Sequence, residues 1–189
     1  SIVKKFGLLI SIPLSLASPM IASSVSKMYS QDKMNDFKSI YIFITKWSVF
    51  ASSILFCVIF IYSKNILQFM GDEFVEGEIA LKIFAFSQLL VVLIGPIGNV
   101  LIMTNGKSYF LIYSYLSVFI GFISISYLTP SLGIVGSVIS ISLIFLITNL
   151  LCLITLISKY KIYPMSLKHF ISRIAIIGLV ITLHDFFFY

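Results

Sequence analysis

Two carboxamides, Gln88 and Asn99, lie inside an apolar run that also holds Gly95 and Pro96. On a continuous helix the step from Gln88 to Gly95 is close to two turns and the step to Asn99 close to three, so these residues share one stripe, with Met103 a turn further on. An amide turned toward hydrocarbon is costly, so the stripe is expected to face protein or a watery cavity. Pro96 brings no N–H. It frees a carbonyl one turn back, at Val92, and can bend the helix there. Two roles suit such a stripe. Transporters line cavities with loosened backbone and bent helices. Ordinary membrane helices also carry Pro and Gly, and amides join helices to one another. These residues alone leave both roles open.

Charged groups offer similar pairs of readings. Lys46, between Thr45 and Trp47, sits near a helix end, where a long lysine either snorkels to headgroups or lines a cavity for an anionic cargo. Lys5 poses the same choice at the opposite face. Asn149, one heptad after Ser142, is a candidate for a cavity or for interhelical bonding. Gly133, Gly136 and Ser140 are spaced for close packing of two helices. Pro13 and Pro19 repeat the hinge chemistry of Gly95 and Pro96 near the start. His184 and Asp185 are adjacent but point about 100° apart on a helix and fall near its outer end. Cys57 and Cys152 lie in apolar runs with no metal-ligand spacing, and no phosphate-loop, dinucleotide, zinc-protease or serine-hydrolase signature occurs. The chain is not expected to be an enzyme, to carry a cofactor or metal, or to bind nucleic acid.

The elements that position these residues follow from composition. The 189 residues are 59% hydrophobic and 11% charged, less than half the roughly 25% of a soluble domain, and the mean hydropathy is +1.09. About 20 apolar residues cross a bilayer as a helix. Six stretches qualify, at about 6–26, 40–62, 79–104, 108–128, 133–158 and 170–189, within a single domain spanning 1–189. They are too long and too irregular in alternation for barrel strands. The expected fold is an all-α polytopic membrane bundle with short connections at 27–39, 63–78, 105–107, 129–132 and 159–169. Lysine and arginine favour the cytoplasmic side. One set of ends carries Lys27, Lys33, Lys38, Lys46, Lys107, Lys159, Lys161, Lys168 and Arg173, against Lys4, Lys5, Lys64 and Lys82 on the other, so the nine-residue side is expected to be cytoplasmic. The opening residues lack a signal-peptide pattern and begin mid-helix, as expected of a piece of a longer chain.

Four stretches in order resemble a known family. "LASPMIASSVSKMYSQDKMNDFKSIY" resembles the proline-containing helix and cytoplasmic loop of bacterial oligosaccharide flippases. "ILQFMGDEFVEGEIALKIFAFSQLL" is similar to their periplasmic helix and loop, "GPIGNVLIMTNGKS" to a Gly-Pro helix ending in a Met-Thr-x-Gly-Lys turn, and "YLTPSLGIVGSVIS" to the entry of the following helix. The likeness is to the C-terminal half of this branch of the multidrug/oligosaccharidyl-lipid/polysaccharide exporter superfamily. It implies one half of a pseudosymmetric pair of bundles in the bacterial cytoplasmic (inner) membrane. It implies alternating-access translocation of a polyprenyl-diphosphate-linked oligosaccharide for O-antigen or capsular polysaccharide assembly. Proton or sodium coupling and contact with the polysaccharide polymerase machinery belong to the same implication. Gln88, Asn99, Lys46, Lys5 and Asn149 are then candidate cavity residues, and Pro13, Pro19, Gly95 and Pro96 candidate hinges. The alternatives are a cation-coupled multidrug antiporter of the same superfamily, which would want carboxylates at membrane depth, and an inactive membrane scaffold.

Overall fold

A computed structural model describes residues 2–30 and 34–160. Among them every regular element is helical, and the all-α expectation is met. Two stretches, Ser39–Ile61 and Asp72–Lys159, are long and apolar enough to cross a membrane; a third qualifies if Ile2–Leu9 and Ile12–Val25 count as one bent span. The expected span at 170–189, with His184 and Asp185, lies outside the described residues, as do His169 and Arg173.

Helices α1 (Ile2–Leu9) and α2 (Ile12–Ser30) meet at a 56° corner. Pro13 explains it. With no N–H, Pro13 cannot donate to the Leu9 carbonyl. The corner is bridged by shorter-range bonds from Ile10 N to the Gly7 carbonyl (3.3 Å) and from Ser11 N to the Leu8 carbonyl (3.0 Å). Pro19, read from sequence as a second hinge, lies inside α2, which continues beyond it.

Helix α3 (Met34–Ile61) spans about 42 Å at 1.5 Å per residue. Tyr41, Thr45, Ser48, Val49, Ser52, Phe56 and Ile59 form its buried face at steps of three and four. Phe43, Trp47, Phe50, Ile54 and Val58 are exposed on the opposite face. A helix apolar on both faces suits a lipid surround. The segment 63–78, expected as a loop, instead forms α4 (Ser63–Met70) and a 3-10 turn (Asp72–Gly77). Leu67 pins α4 to the core at 0% exposure while Phe69 stands 87% exposed.

Next come α5 (Glu78–Ile94), α6 (Ile97–Leu101) and α7 (Lys107–Tyr160). A straight α7 of 54 residues would be about 81 Å long. It is instead a hairpin that turns at Gly133, whose φ of 57° and ψ of −130° are far from helical. Tyr113 Oη and Thr155 Oγ1 share a hydrogen bond of 2.7 Å across the limbs, and Thr129 Oγ1 and Ser137 Oγ one of 3.1 Å near the turn. Gly121 backs directly onto Ile144, and Gly136 onto the Leu128 carbonyl. Lys159 Nζ lies 4.9 Å from the Tyr109 ring centre. Limb α7a is therefore 107–132 and limb α7b 134–160, antiparallel. The expected connection at 129–132, centred on Pro130, is helical up to 132, and Gly133, read as a packing residue, is the turn itself. The other expected turn, at Asn105, is present, with Asn105 at φ 61°.

Packing then follows register. Ser63 Oγ donates to Glu78 Oε1 (3.3 Å), Phe56 meets Phe86 (6.4 Å between ring centres) and Tyr41 reaches Ile94, so α3 and α5 are antiparallel. Val3 abuts Gly77 and Gly7 abuts Phe84, so α1 runs parallel to α5. The buried core divides in two along the bundle. One cluster holds Ile10, Phe56, Leu67, Phe84, Leu93 and Val138; the other holds Ile21, Val25, Tyr41, Ile94, Ile97 and Leu156. The division falls between Leu93 and Ile94.

Candidate functional site

The site is built around the interruption between α5 and α6. Gly95 takes φ 90° and ψ −176°, a backbone region essentially closed to residues with a Cβ. It ends α5 by donating its N–H to the Val91 and Val92 carbonyls at 3.3 and 3.0 Å. Pro96 follows at φ −81° and ψ 50°, and Ile97 N bonds the Gly95 carbonyl at 2.9 Å, an inverse γ-turn. The expectation of a bent helix with a loosened Val92 carbonyl is therefore corrected. The helix stops and restarts, and the Val92 carbonyl is bonded. The break removes the helical donors of the Leu93 and Ile94 carbonyls, and the buried Tyr41 hydroxyl donates to that of Ile94 at 3.2 Å. A Cβ on Gly95 would come 2.7 Å from Tyr41 Oη and 3.1 Å from Thr45 Oγ1, so α3 closes onto the break.

Because the helix restarts, the shared stripe of Gln88 and Asn99 does not survive as geometry. Gln88 is on α5 and 2% exposed; Asn99 is on α6, beyond the break, and half-buried. Met103 is exposed. Lys46 is exposed on the α3 face opposite the one that meets α5, and Lys5 is exposed on α1, at the other end of the bundle. Asn149 is half-buried and its amide nitrogen donates to the Phe145 carbonyl of its own limb at 2.8 Å. The structure does not bring these five side chains together.

Gln88 instead shares its depth with two other buried polar side chains. Most serine and threonine hydroxyls on these helices turn back onto a carbonyl three or four residues earlier, as Ser53 does to Val49 (2.7 Å), Ser117 to Tyr113 (2.7 Å), Ser124 to Ile120 (2.9 Å) and Thr148 to Ile144 (2.8 Å). Ser52 Oγ, Ser142 Oγ and Gln88 Nε2 are buried with no hydrogen-bond partner among the described residues. Register puts them at one depth. On the antiparallel α3–α5 pair, Ser52 lies one turn from Phe56 and Gln88 just beyond its partner Phe86. Phe84 shares a cavity with Val138 and Ile141 of α7b, so Ser142, one turn past Val138, is level with Gln88. A buried, unpaired amide or hydroxyl costs about 1–3 kcal/mol. One carboxamide and two hydroxyls can bind water or a neutral polar group. None of them titrates near neutral pH.

Sequence reasoning missed Tyr41, Thr45 and Ser52. Tyr41, Thr45, Ser48 and Ser52 form a polar line at steps of four, three and four on α3, which was the available signal. Among the described residues no group of three His, Cys, Asp or Glu side chains could hold a metal ion. Comparisons with protein-family models, with curated proteins and with solved structures gave no match.

Proposed function

We propose that this chain is half of a lipid-linked oligosaccharide flippase, a six-pass bundle in the bacterial inner membrane. Its spans are α1–α2, α3, α5–α6, α7a, α7b and the apolar segment 170–189. The observation that carries the reading is the interrupted helix at Gly95–Pro96, capped by the Tyr41 hydroxyl. Irregular backbone at membrane depth is tolerated where protein or a watery cavity satisfies it, and such breaks mark substrate paths in transporters. The unsatisfied layer of Ser52, Gln88 and Ser142, two turns from the break, supports a polar path through an apolar bundle. The four sequence stretches that resemble oligosaccharide flippases supply the cargo, a polyprenyl-diphosphate-linked oligosaccharide delivered toward polysaccharide assembly, with a proton or sodium gradient as the driving force. The antiporter alternative is weaker. Among the described residues the carboxylates are Asp36, Asp72, Glu73, Glu76 and Glu78, all at helix ends or turns.

The test is complementation of a bacterium lacking its oligosaccharide flippase by the protein that carries this chain, read as surface polysaccharide. Restoration by the wild type, and its loss in Pro96→Ala at matched membrane abundance, is the expected result. No restoration by the wild type refutes the flippase reading. Full restoration by Pro96→Ala leaves the proline without a part in transport.

A further inference from the structure

Lys4 stands out against the lysine distribution, because it sits at the end of the bundle expected to be poor in cations. The structure gives it a setting. Val3 approaches Gly77, with 3.1 Å between Val3 Cγ2 and the position a Gly77 Cβ would occupy, so the start of α1 lies level with the polar Asp72–Gly77 turn. Beside it a cavity of about 290 Å³ opens between α1, α5 and α7b, lined by Lys4, Phe84, Ile134, Ser137, Val138 and Ile141. Ile134, Val138 and Ile141 recur at steps of four and three on one face of α7b and descend about 10 Å from the Gly133 turn. Phe84 closes the wall from α5. The cavity thus carries a lysine at its α1 edge and a mainly apolar wall along α7b, where the one hydroxyl, Ser137, is already bonded to Thr129 and to the Gly133 carbonyl. No carboxylate lies within ion-pair distance of Lys4 among the described residues, whereas Lys82 is held by Glu78 at 2.7 Å.

We propose that this cavity seats an anionic phospholipid from the leaflet at the α4 end of the bundle. Its phosphate lies on Lys4, and one acyl chain lies along Ile134, Val138 and Ile141. Charge and shape together select this occupant. A free phosphate would leave the apolar wall uncovered, and a zwitterionic lipid would bring its own cation toward Lys4. The proposal requires a membrane-embedded chain and is independent of what the protein transports.

The experiment is native mass spectrometry of the purified protein that carries this chain in non-ionic detergent, with phosphatidylglycerol or phosphatidylcholine of identical acyl chains added at equal concentration. The wild type is expected to retain phosphatidylglycerol about fivefold over phosphatidylcholine, the factor one lysine near a membrane surface supplies. Lys4→Gln should equalise the two lipids, and Lys64→Gln, which removes an exposed lysine from α4, should leave the preference intact. Ile134→Trp, at the exposed rim, should lower retention of both lipids by filling the cavity; a melting temperature near that of the wild type shows the variant is folded. Equal retention of the two lipids by the wild type overturns the proposal. So does an unchanged preference in Lys4→Gln, or a loss in Lys64→Gln as large as that in Lys4→Gln. If inorganic phosphate raises the melting temperature as much as phosphatidylglycerol does, the site is an anion site without a lipid, and the proposal also fails.

Discussion

Gly95→Ala tests whether the break between α5 and α6 is held by tertiary contact or is a passive kink. Two costs follow from the geometry. Forcing a Cβ into φ 90°, ψ −176° costs about 1–3 kcal/mol. The new Cβ would also sit 2.7 Å from Tyr41 Oη, so the hydroxyl must move away from the Ile94 carbonyl. Leaving that carbonyl unpaired in the core costs about 1–3 kcal/mol more. The expected total for Gly95→Ala is about 2–6 kcal/mol. Tyr41→Phe deletes the same hydrogen bond with the ring in place, so it should cost about 1–3 kcal/mol alone. The double variant is informative because the bond can be lost only once, and because removing Oη clears the atom nearest the new Cβ. It should be about as stable as Gly95→Ala alone, a coupling of about 1–3 kcal/mol, well above the roughly 0.5 kcal/mol expected of independent sites. The assay is reversible unfolding of the purified chain in mixed micelles, followed by far-UV circular dichroism. Additive losses, or a Gly95→Ala variant as stable as the wild type, would refute the account of Tyr41 as the cap of the break.

Gln88→Leu replaces an unpaired buried amide with an apolar side chain of similar volume, so the melting temperature should hold or rise, while complementation should fall if the polar layer serves transport. Gly133→Ala should destabilise by about 1–3 kcal/mol through backbone strain alone, since nothing lies within 4 Å of the added Cβ; unchanged stability in the unfolding assay would remove Gly133 as the obligatory turn. For orientation, single cysteines at Lys107 and Asp72, placed after replacing Cys57 and Cys152, should react with an impermeant thiol reagent in intact cells at position 72 and not at 107; labelling at 107 would invert the topology.

What could be read from the sequence was local, and what could not be read was pairwise. Gly95, Pro96 and the Asn105 turn are legible because their backbone chemistry restricts φ and removes a donor wherever they sit. The turn lies at Gly133 and not at Pro130, the stronger helix breaker in the sequence. A proline's φ fits a helix, whereas a positive φ calls for glycine, and helices commonly end one residue before one. The segment 63–78 shows no helical pattern in the sequence because the eight residues of α4 give too short a run for periodicity. Gln88 and Asn99 shared a stripe only as long as one helix ran through both, and the phase resets at Gly95. Tyr41 could not be found from α5 at all, since the break orphans the Ile94 carbonyl locally but only the register of α3 against α5 brings Tyr41 to it.

That register also explains why the unsatisfied groups occur where they do. α1 runs parallel to α5 with Gly7 against Phe84, so the α1–α2 corner at Ile10 and Ser11 falls close to the depth of Gln88. The α5–α6 break lies two turns beyond, at the division between the two core clusters. The α1–α2 corner and the α5–α6 break thus both fall within this short interval, while α3 and α7b continue through it without interruption. A continuous helix against an interrupted one cannot keep its side chains interdigitated through the interruption, because ridge-into-groove contact requires a regular row of side chains on both helices. Apolar side chains there would leave voids. Small hydroxyls and one amide instead leave space that water can occupy, and water needs two to four polar partners to stay. Ser52, Gln88 and Ser142 place unpaired polar groups at the depth where packing is interrupted. The polar layer thus falls where the α1–α2 corner and the approach to the α5–α6 break interrupt regular packing.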